Sequence, residues 1–327
     1  MAKVEKVEVN TPPKTKYKLK NWPAYNAGLK KRGSLTLWLD EKALGSWQYA
    51  GEKQRGGQYE YSDVCIITLL CLKATFRLAF RQLEGFVESL FELSGISLPV
   101  PCYSQICRRQ RGLEVPLWVE KHLLAGKSVH MVVDSSGLKV YGEGEWKVRK
   151  HGWSKRRTWR KIHLGVDEKS GQVIAQVLTD NKTDDASVVP DLLSQSEEGG
   201  ILVDKFGSDG AYDTYDTWDL LSDLDIQAII PPRDNAVFKV DKDGALCEHP
   251  RNAVLEQIVD KDLKTWKIES GYHRRSLSET TFFRWKITLG DKLWARRDDT
   301  QKTEAAVKSA VLNKFIQAAK PLSFKIA

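Results

Sequence analysis

Ser128–Ser136, SVHMVVDSS, is the stretch on which the fold turns. A short apolar run closed by an acid and two serines reads as a buried strand ending at Asp134. A second run of this kind, ILVDKFGSDGAY at 201–212, ends at Asp209. Between them WRKIHLGVD (159–167) and QVIAQVLTD (172–180) flank the turn EKSG and predict a β-hairpin. ASVVPDLLSQS (186–196), with Asp184 or Asp185 near its start, predicts a helix. Another helix runs through about Leu224, and IQAIIPP (226–232) closes the series as a strand. Three strands, helix, strand, helix, strand make an α/β plan with a mixed sheet. The segment at about 232–270 has an uneven pattern and a turn at VDKDGAL (240–246), and reads as an insertion.

Upstream, residues 1–20 read as a flexible basic arm and residues 21–125 as mostly α-helical, which leaves 126–327 for the α/β domain. VCIITLLCLKATFRLAFRQLEGFVESLF (64–91) predicts one long apolar helix that Asp63 could help cap. Gly95 and Pro99 end it, and a short helix carrying Arg108, Arg109 and Arg111 opens at Ser104 and stops at Gly112. Long helix, turn, short basic helix is a helix-turn-helix-like arrangement in which Arg108 and Arg109 would face DNA; a solvated basic face is the other reading.

Composition narrows the class of partner. The 327 residues carry a net charge of +8, and residues 1–125 hold 19 Lys and Arg against 12 Asp and Glu. An excess of cations concentrated in one third of a chain favours an acidic partner such as nucleic acid. The longest apolar run, Cys65–Leu72, is too short to span a membrane, and the N-terminus lacks the apolar core of a secretory signal. Five cysteines with no C-x-x-C pair suit a reducing compartment and give neither a disulfide framework nor a zinc site. A cytoplasmic location is therefore expected.

The chemistry gathers in GYHRRSLSETTFFRWK (271–286). At about 100° per residue, Tyr272, Arg275, Glu279 and Lys286 fall within one arc of a helix. Arginine and lysine grip phosphate oxygens and a carboxylate takes a hard cation, although ion pairing on an exposed helix would use the same spacing. Asp134 and Asp209 favour the first reading. Each ends a strand, where open α/β sheets gather their functional residues, and each is followed by small residues. Three converging carboxylates repel one another unless a cation binds, and oxygen-only ligation points to Mg²⁺ or Mn²⁺.

These words together resemble the DDE transposases of bacterial insertion sequences, in the group (insertion-sequence family five) whose last acid lies in a Tyr-Arg-Glu-Lys signature. DSSGLKVYGEGEWK (134–147), RRTWRKIHLGVDEKSGQVIA (156–175), SDGAYDT (208–214) and GYHRRSLSETTFFRWK carry the resemblance, the last fitting Y-x2-R-x3-E-x6-K without a gap. NWPAYNAGLKKRGSLTLWLD (21–40) and AAVKSAVLNKFIQAAKPLS (305–323) extend it over nearly the whole chain. The resemblance implies a ribonuclease-H-like catalytic core with Asp134, Asp209 and Glu279 as catalytic metal ligands for two ions. It also implies double-stranded DNA as partner, both the terminal inverted repeats and the target, and a homodimer in the DNA complex. A bacterial, nucleoid-associated enzyme that cleaves DNA and transfers strands is expected, with no nucleotide cofactor, since no G-x4-G-K-[ST] loop is present. A nuclease of the same core and a non-catalytic DNA-binding repressor are the alternatives.

Two further features bear on DNA. Between Lys147 and Lys161 stand eight basic residues, among them Arg156, Arg157, Arg160 and Lys161, interleaved with Trp146, Trp153 and Trp159. Such a tract suits phosphate neutralisation and base stacking beside the active site, or else an exposed loop whose tryptophans pack on the core. Trp266, in the insertion, is a candidate for stacking on a displaced base, although a lone tryptophan is more often core. The six histidines form no metal-binding spacing and are expected to be structural or surface residues.

Overall fold

The computed structural model describes residues 17–52, 56, 58–124, 126–140 and 159–326. In chain order the elements are β1 (Tyr17–Leu19), α1 (Trp22–Arg32), α2 (Glu41–Gly45), α3 (Asp63–Phe76), α4 (Phe80–Ser94), α5 (Tyr103–Arg109), β2 (Val129–Val140), β3 (Trp159–Asp167) and β4 (Val173–Asp180). There follow α6 (Val189–Glu198), β5 (Val203–Gly207), α7 (Tyr215–Asp223), β6 (Gln227–Ile229), α8 (Pro250–Lys261), α9 (Leu263–Glu269), α10 (Ser276–Leu289), β7 (Lys292–Leu293), α11 (Asp298–Ala318) and β8 (Ser323–Lys325).

The strands β4-β3-β2-β5-β6 form one mixed sheet, with β7 beside the far end of β2. The hairpin pairs β3 antiparallel with β2 and β4, whereas β5 and β6 run parallel to β2 and are reached through α6 and α7. Alternation along β2 divides the core. Val132 and Leu138 face a cluster built with α3, α10 and α11, while Met131 and Val133 face one built with α6 and α7. Helices cover both faces, which is why these strands carry apolar residues on both sides. The expected α/β plan is present.

Two local expectations are corrected. Residues 64–91 form two helices, not one. Ser62, rather than Asp63, caps α3, its hydroxyl accepting from the Cys65 amide, and α3 stops at Arg77, which takes a left-handed conformation (φ 54°). Gln82 then accepts from the Ala79 amide and starts α4. The turn is secured from outside, because Arg77 Nη2 donates to the carbonyls of Ile287 and Thr288 at the end of α10, 3.0 Å each. Unsatisfied carbonyls at a helix end are natural acceptors for a cation. The second correction concerns Asp134, which lies inside β2 and not at its end, because β2 continues along β3 as far as Lys139 opposite Trp159.

The helical region also shares its core with the sheet. Cys65–Leu72 of α3 are buried without a break, as expected of a helix apolar all round, and they join Val132, Ile162 and Leu164 in one cluster. Helix α11 lies between α3 and β4 and buries polar groups too. Asn313, 0% exposed, bonds the Val173 amide and carbonyl on β4 and the carbonyl of Leu117. The first and last described strands meet there. β1 pairs antiparallel with β8, and Arg32 donates to the carbonyls of Phe315 and Ala319. A Cβ on Gly28 would meet the Ala318 carbonyl at 2.1 Å, so only glycine permits α1 to cross α11 so closely.

Candidate active site

The parallel register sets the first two acids side by side. Val132 of β2 pairs with Gly207, the last residue of β5, and Asp134 and Asp209 each stand two residues further on. Asp134 thus lies beyond the end of its parallel neighbour although it is inside its own strand. Asp209 Oδ1 accepts from the Ala211 amide (2.9 Å), which fixes its carboxylate at the head of a short turn, Gly210–Tyr212.

The signature segment comes to the same place. Gly271, with φ +74°, turns the chain out of α9 into a 3₁₀ turn, Tyr272–Arg275, which runs directly into α10. Ser278, Thr281, Phe282, Trp285 and Leu289 form the buried stripe of α10, and Glu279 stands exposed at its flank. The fully buried Trp285 anchors the helix; its truncation to alanine costs about 3–5 kcal/mol. Lys286 Nζ donates to Ser136 Oγ (2.6 Å), tying α10 to β2 two residues from Asp134. Arg275 lies between two acids, 2.6 Å from Glu279 Oε1 and 3.4 Å from Asp134 Oδ2, with its guanidinium 5.8 Å from the Tyr272 ring centroid. The four signature residues and both aspartates therefore share one end of the sheet.

The electrostatics are those of an under-satisfied carboxylate. Burial pushes the Asp134 carboxyl above its ordinary range, and the neighbouring Asp209 and Glu279 push the same way, against the Ser135 amide and Arg275. Among the described residues its only short bond is from the Ser135 amide, 2.8 Å; Ser278 Oγ lies 3.5 Å away but gives its hydrogen to the Arg275 carbonyl. The Tyr212 hydroxyl, on a residue 1% exposed, has no hydrogen-bond partner among the described residues, and its phenol is raised by burial and then by Asp185, Asp134 and Asp209. Among the described residues no three His, Cys, Asp or Glu side chains close into a metal-ligand set. The donor set nevertheless fits a hard divalent cation, since all three acids offer oxygen and their mutual repulsion favours one. Arg275 is the group that must release Asp134 or Glu279 for them to close.

Comparison with known families follows the same residues. A family model described as Transposase DDE domain matches residues 125–314, and a second of the same description matches residues 30–143. The chain belongs to the DDE transposases. It is an enzyme of DNA cleavage and joining, and the family implies dependence on a divalent metal. Among solved structures, a piggyBac transposase synaptic complex with hairpin DNA is similar at 11% identity and a TM-score of 0.40, over 92% of this chain and 77% of that one.

One acid of the transposase was passed over in the sequence. Asp213, four residues after Asp209, has a fully buried side chain that accepts from Trp218 Nε1 (2.9 Å), the Arg233 amide (3.0 Å) and Arg251 Nε and Nη2 (2.7 and 3.0 Å). Burial pushes its carboxyl up, but these donors outweigh it and hold the group below the ordinary range. The bonds fasten the segment expected as an insertion, which carries α8 and α9, to the end of the sheet. SDGAYDT shows two acids, and nothing in the sequence marks Arg251 as the partner of the second.

The other expected DNA contacts are placed as follows. Arg108 is exposed. Arg109 turns inward to the Tyr61 carbonyl and Asp63, stacked 4.0 Å from the Tyr59 ring centroid. Arg160 pairs with Asp298 and Gln301, and Lys161 with Asp185 and the Thr183 carbonyl. Arg156 and Arg157, with Trp146 and Trp153, lie outside the described residues, as does most of the expected basic arm. Trp266 is 4% exposed against Tyr272, so base stacking would require its ring to be uncovered. His163 is fully buried, and burial pushes it down to about 4, which leaves it neutral.

Proposed function

We propose that the chain is the transposase of a bacterial insertion sequence of family five, which binds that element's terminal inverted repeats, cuts at their ends and joins the freed strand to target DNA. The observation that carries this reading is the meeting of Asp134 and Asp209, through the register of β2 and β5, with Glu279 across Arg275. The mixed sheet, with its second strand antiparallel and the acids at one end, supports the ribonuclease-H-like core. Asp134, Asp209 and Glu279 would hold Mg²⁺ or Mn²⁺, in all two ions. Bound there, such ions activate an oxygen nucleophile and stabilise the leaving oxygen of a phosphodiester.

The chain's own groups position and neutralise. Arg275, once it releases a carboxylate, presents its fork to a phosphate oxygen, stacked on Tyr272 and stabilising charge that develops at phosphorus. Lys286 adds a point charge from α10, the helix that follows. Water attacks the phosphorus at the element's end and the 3′-oxygen leaves; the resulting 3′-hydroxyl then attacks a target phosphodiester and expels its 3′-oxygen. Neither step needs a covalent protein intermediate. Arg108 and, beyond the described residues, Arg156 and Arg157 would neutralise phosphates of the bound duplex, and two copies of the chain would bring two ends together.

The test is a labelled duplex bearing the repeat that flanks the coding sequence, incubated with Mg²⁺ or Mn²⁺ and the intact chain or Glu279→Gln. Cleavage at the repeat boundary followed by joining to a plasmid, both lost in the variant, is the expected result. Cutting without joining would indicate a nuclease, and repeat-specific binding without any cutting a repressor.

A further inference from the structure

Helix α10 presents an exposed stripe that the core does not use and of which catalysis would use Glu279 alone. Its exposed positions are Ser276, Glu279, Phe283 and Ile287, three or four residues apart and therefore on one line. Phe283 is 64% exposed and Ile287 61%. Two large apolar side chains bared in line on a helix whose other side is fully buried need a reason, because a surface helix ordinarily shows polar groups to water. The stripe also runs through the proposed third acid, Glu279. Phe283 stands one turn, about 6 Å, beyond Glu279, so a strand whose phosphate reaches Glu279 and that continues along α10 passes over it. Cations border the line. Arg275 stands at its start, Lys286 beside Ile287, and the exposed Arg77 and Lys292 beyond its far end. Cations along the edges and apolar groups in the middle complement a nucleic-acid strand, with phosphates outside and bases or sugars within.

Building on the transposase reading, we infer that Phe283 and Ile287 form a docking stripe for the DNA strand beside the scissile phosphate, with Phe283 packed on a base or sugar of the adjoining nucleotide and Ile287 on the next. The contact is apolar and releases no counterions, which gives it a signature separate from that of the lysines.

The experiment measures the affinity of the full chain for a fluorescein-labelled repeat duplex by anisotropy across a salt series, for the wild type, Phe283→Ala, Phe283→Trp and Lys286→Gln. Phe283→Ala should weaken binding at least about fivefold at every salt concentration without changing the slope of log Kd against log salt, and Phe283→Trp should restore it. Lys286→Gln should reduce the slope instead. Unchanged affinity in Phe283→Ala, with wild-type binding intact, would overturn the stripe alone. A drop in self-association of that variant by sedimentation, again with DNA affinity unchanged, would assign the stripe to a second copy of the chain. Absence of wild-type binding to any duplex would overturn the DNA reading together with the stripe.

Discussion

Asp134 and Asp213 lie near the same end of one sheet, and the protein treats them in opposite ways. Asp213 is sealed from solvent and takes four hydrogen bonds from three residues. Asp134 has one short bond, from a neighbouring amide, two contacts near 3.5 Å and a carboxyl raised above its ordinary range. A carboxylate saturated by its own chain holds structure together. One left partly unsatisfied among like charges keeps its affinity for something the chain does not supply. The difference sets Asp213 apart as a structural acid and supports the proposal that Asp134 is held for chemistry, although SDGAYDT offers both Asp209 and Asp213 in the same few residues.

The comparison is broken most directly at Asp134. Asp134→Asn should lower strand cleavage by about ten-thousandfold or more while leaving the thermal midpoint unchanged or higher, because the substitution removes repulsion and no strong bond. A midpoint well below wild type would show that Asp134 is structural after all. Arg251→Met reverses the pattern. It strands Asp213 as a buried unpaired charge and should cost about 3–5 kcal/mol in urea unfolding. A cost under about 1 kcal/mol would mean that Trp218 and the Arg233 amide suffice. Third, Mn²⁺ at a hundred times its dissociation constant should stabilise the wild type by about 2.7 kcal/mol and Asp134→Asn by much less, as read from the melting temperature. Equal shifts in both would place the cation elsewhere.

The pH dependence of stability separates the two acids by sign. The raised Asp134 carboxyl disfavours the folded state progressively as pH climbs through 3.8 towards its folded value, so Asp134→Asn should gain on wild type across that window and hold the gain above it. The depressed Asp213 carboxyl stabilises fully above 3.8 and loses that contribution as pH falls below it, so the deficit of Asp213→Asn should shrink in acid. The smallest effect is expected at Arg77. Its replacement by alanine removes two bonds onto the end of α10 and should cost about 1–2 kcal/mol in urea unfolding, with cleavage less affected than in Lys286→Gln.

The sequence made the strands legible because each is a short apolar run with a hard stop, and it made α10 legible because its signature spacing is helical. It hid what depends on partners far along the chain. The break between α3 and α4 rests on Arg77 finding carbonyls some 210 residues away, which no local propensity records. Arg109 reads as a surface cation until Tyr59, Tyr61 and Asp63 are seen around it. Asp134 looked like a strand end because the apolar run stops there, whereas β2 continues through polar residues held by β3. The pairing of Asp213 with Arg251 joins two unremarkable positions, and only their burial together gives them meaning.

The pairing of the first and last described strands bears on the order of synthesis. Asn21 bonds the Leu322 amide across 301 residues, and α1, α3 and β4 all pack on α11. A ribosome working at about 5–20 residues per second makes the first of these partners wait roughly 15–60 s for the last. The apolar surface of α3 and the edge at β4 have no cover of their own in that interval, and nascent chains must be kept from one another by other means. The ability to cut DNA thus waits on the synthesis of α11, and a message broken before that helix yields a chain without the element on which α1, α3 and β4 pack.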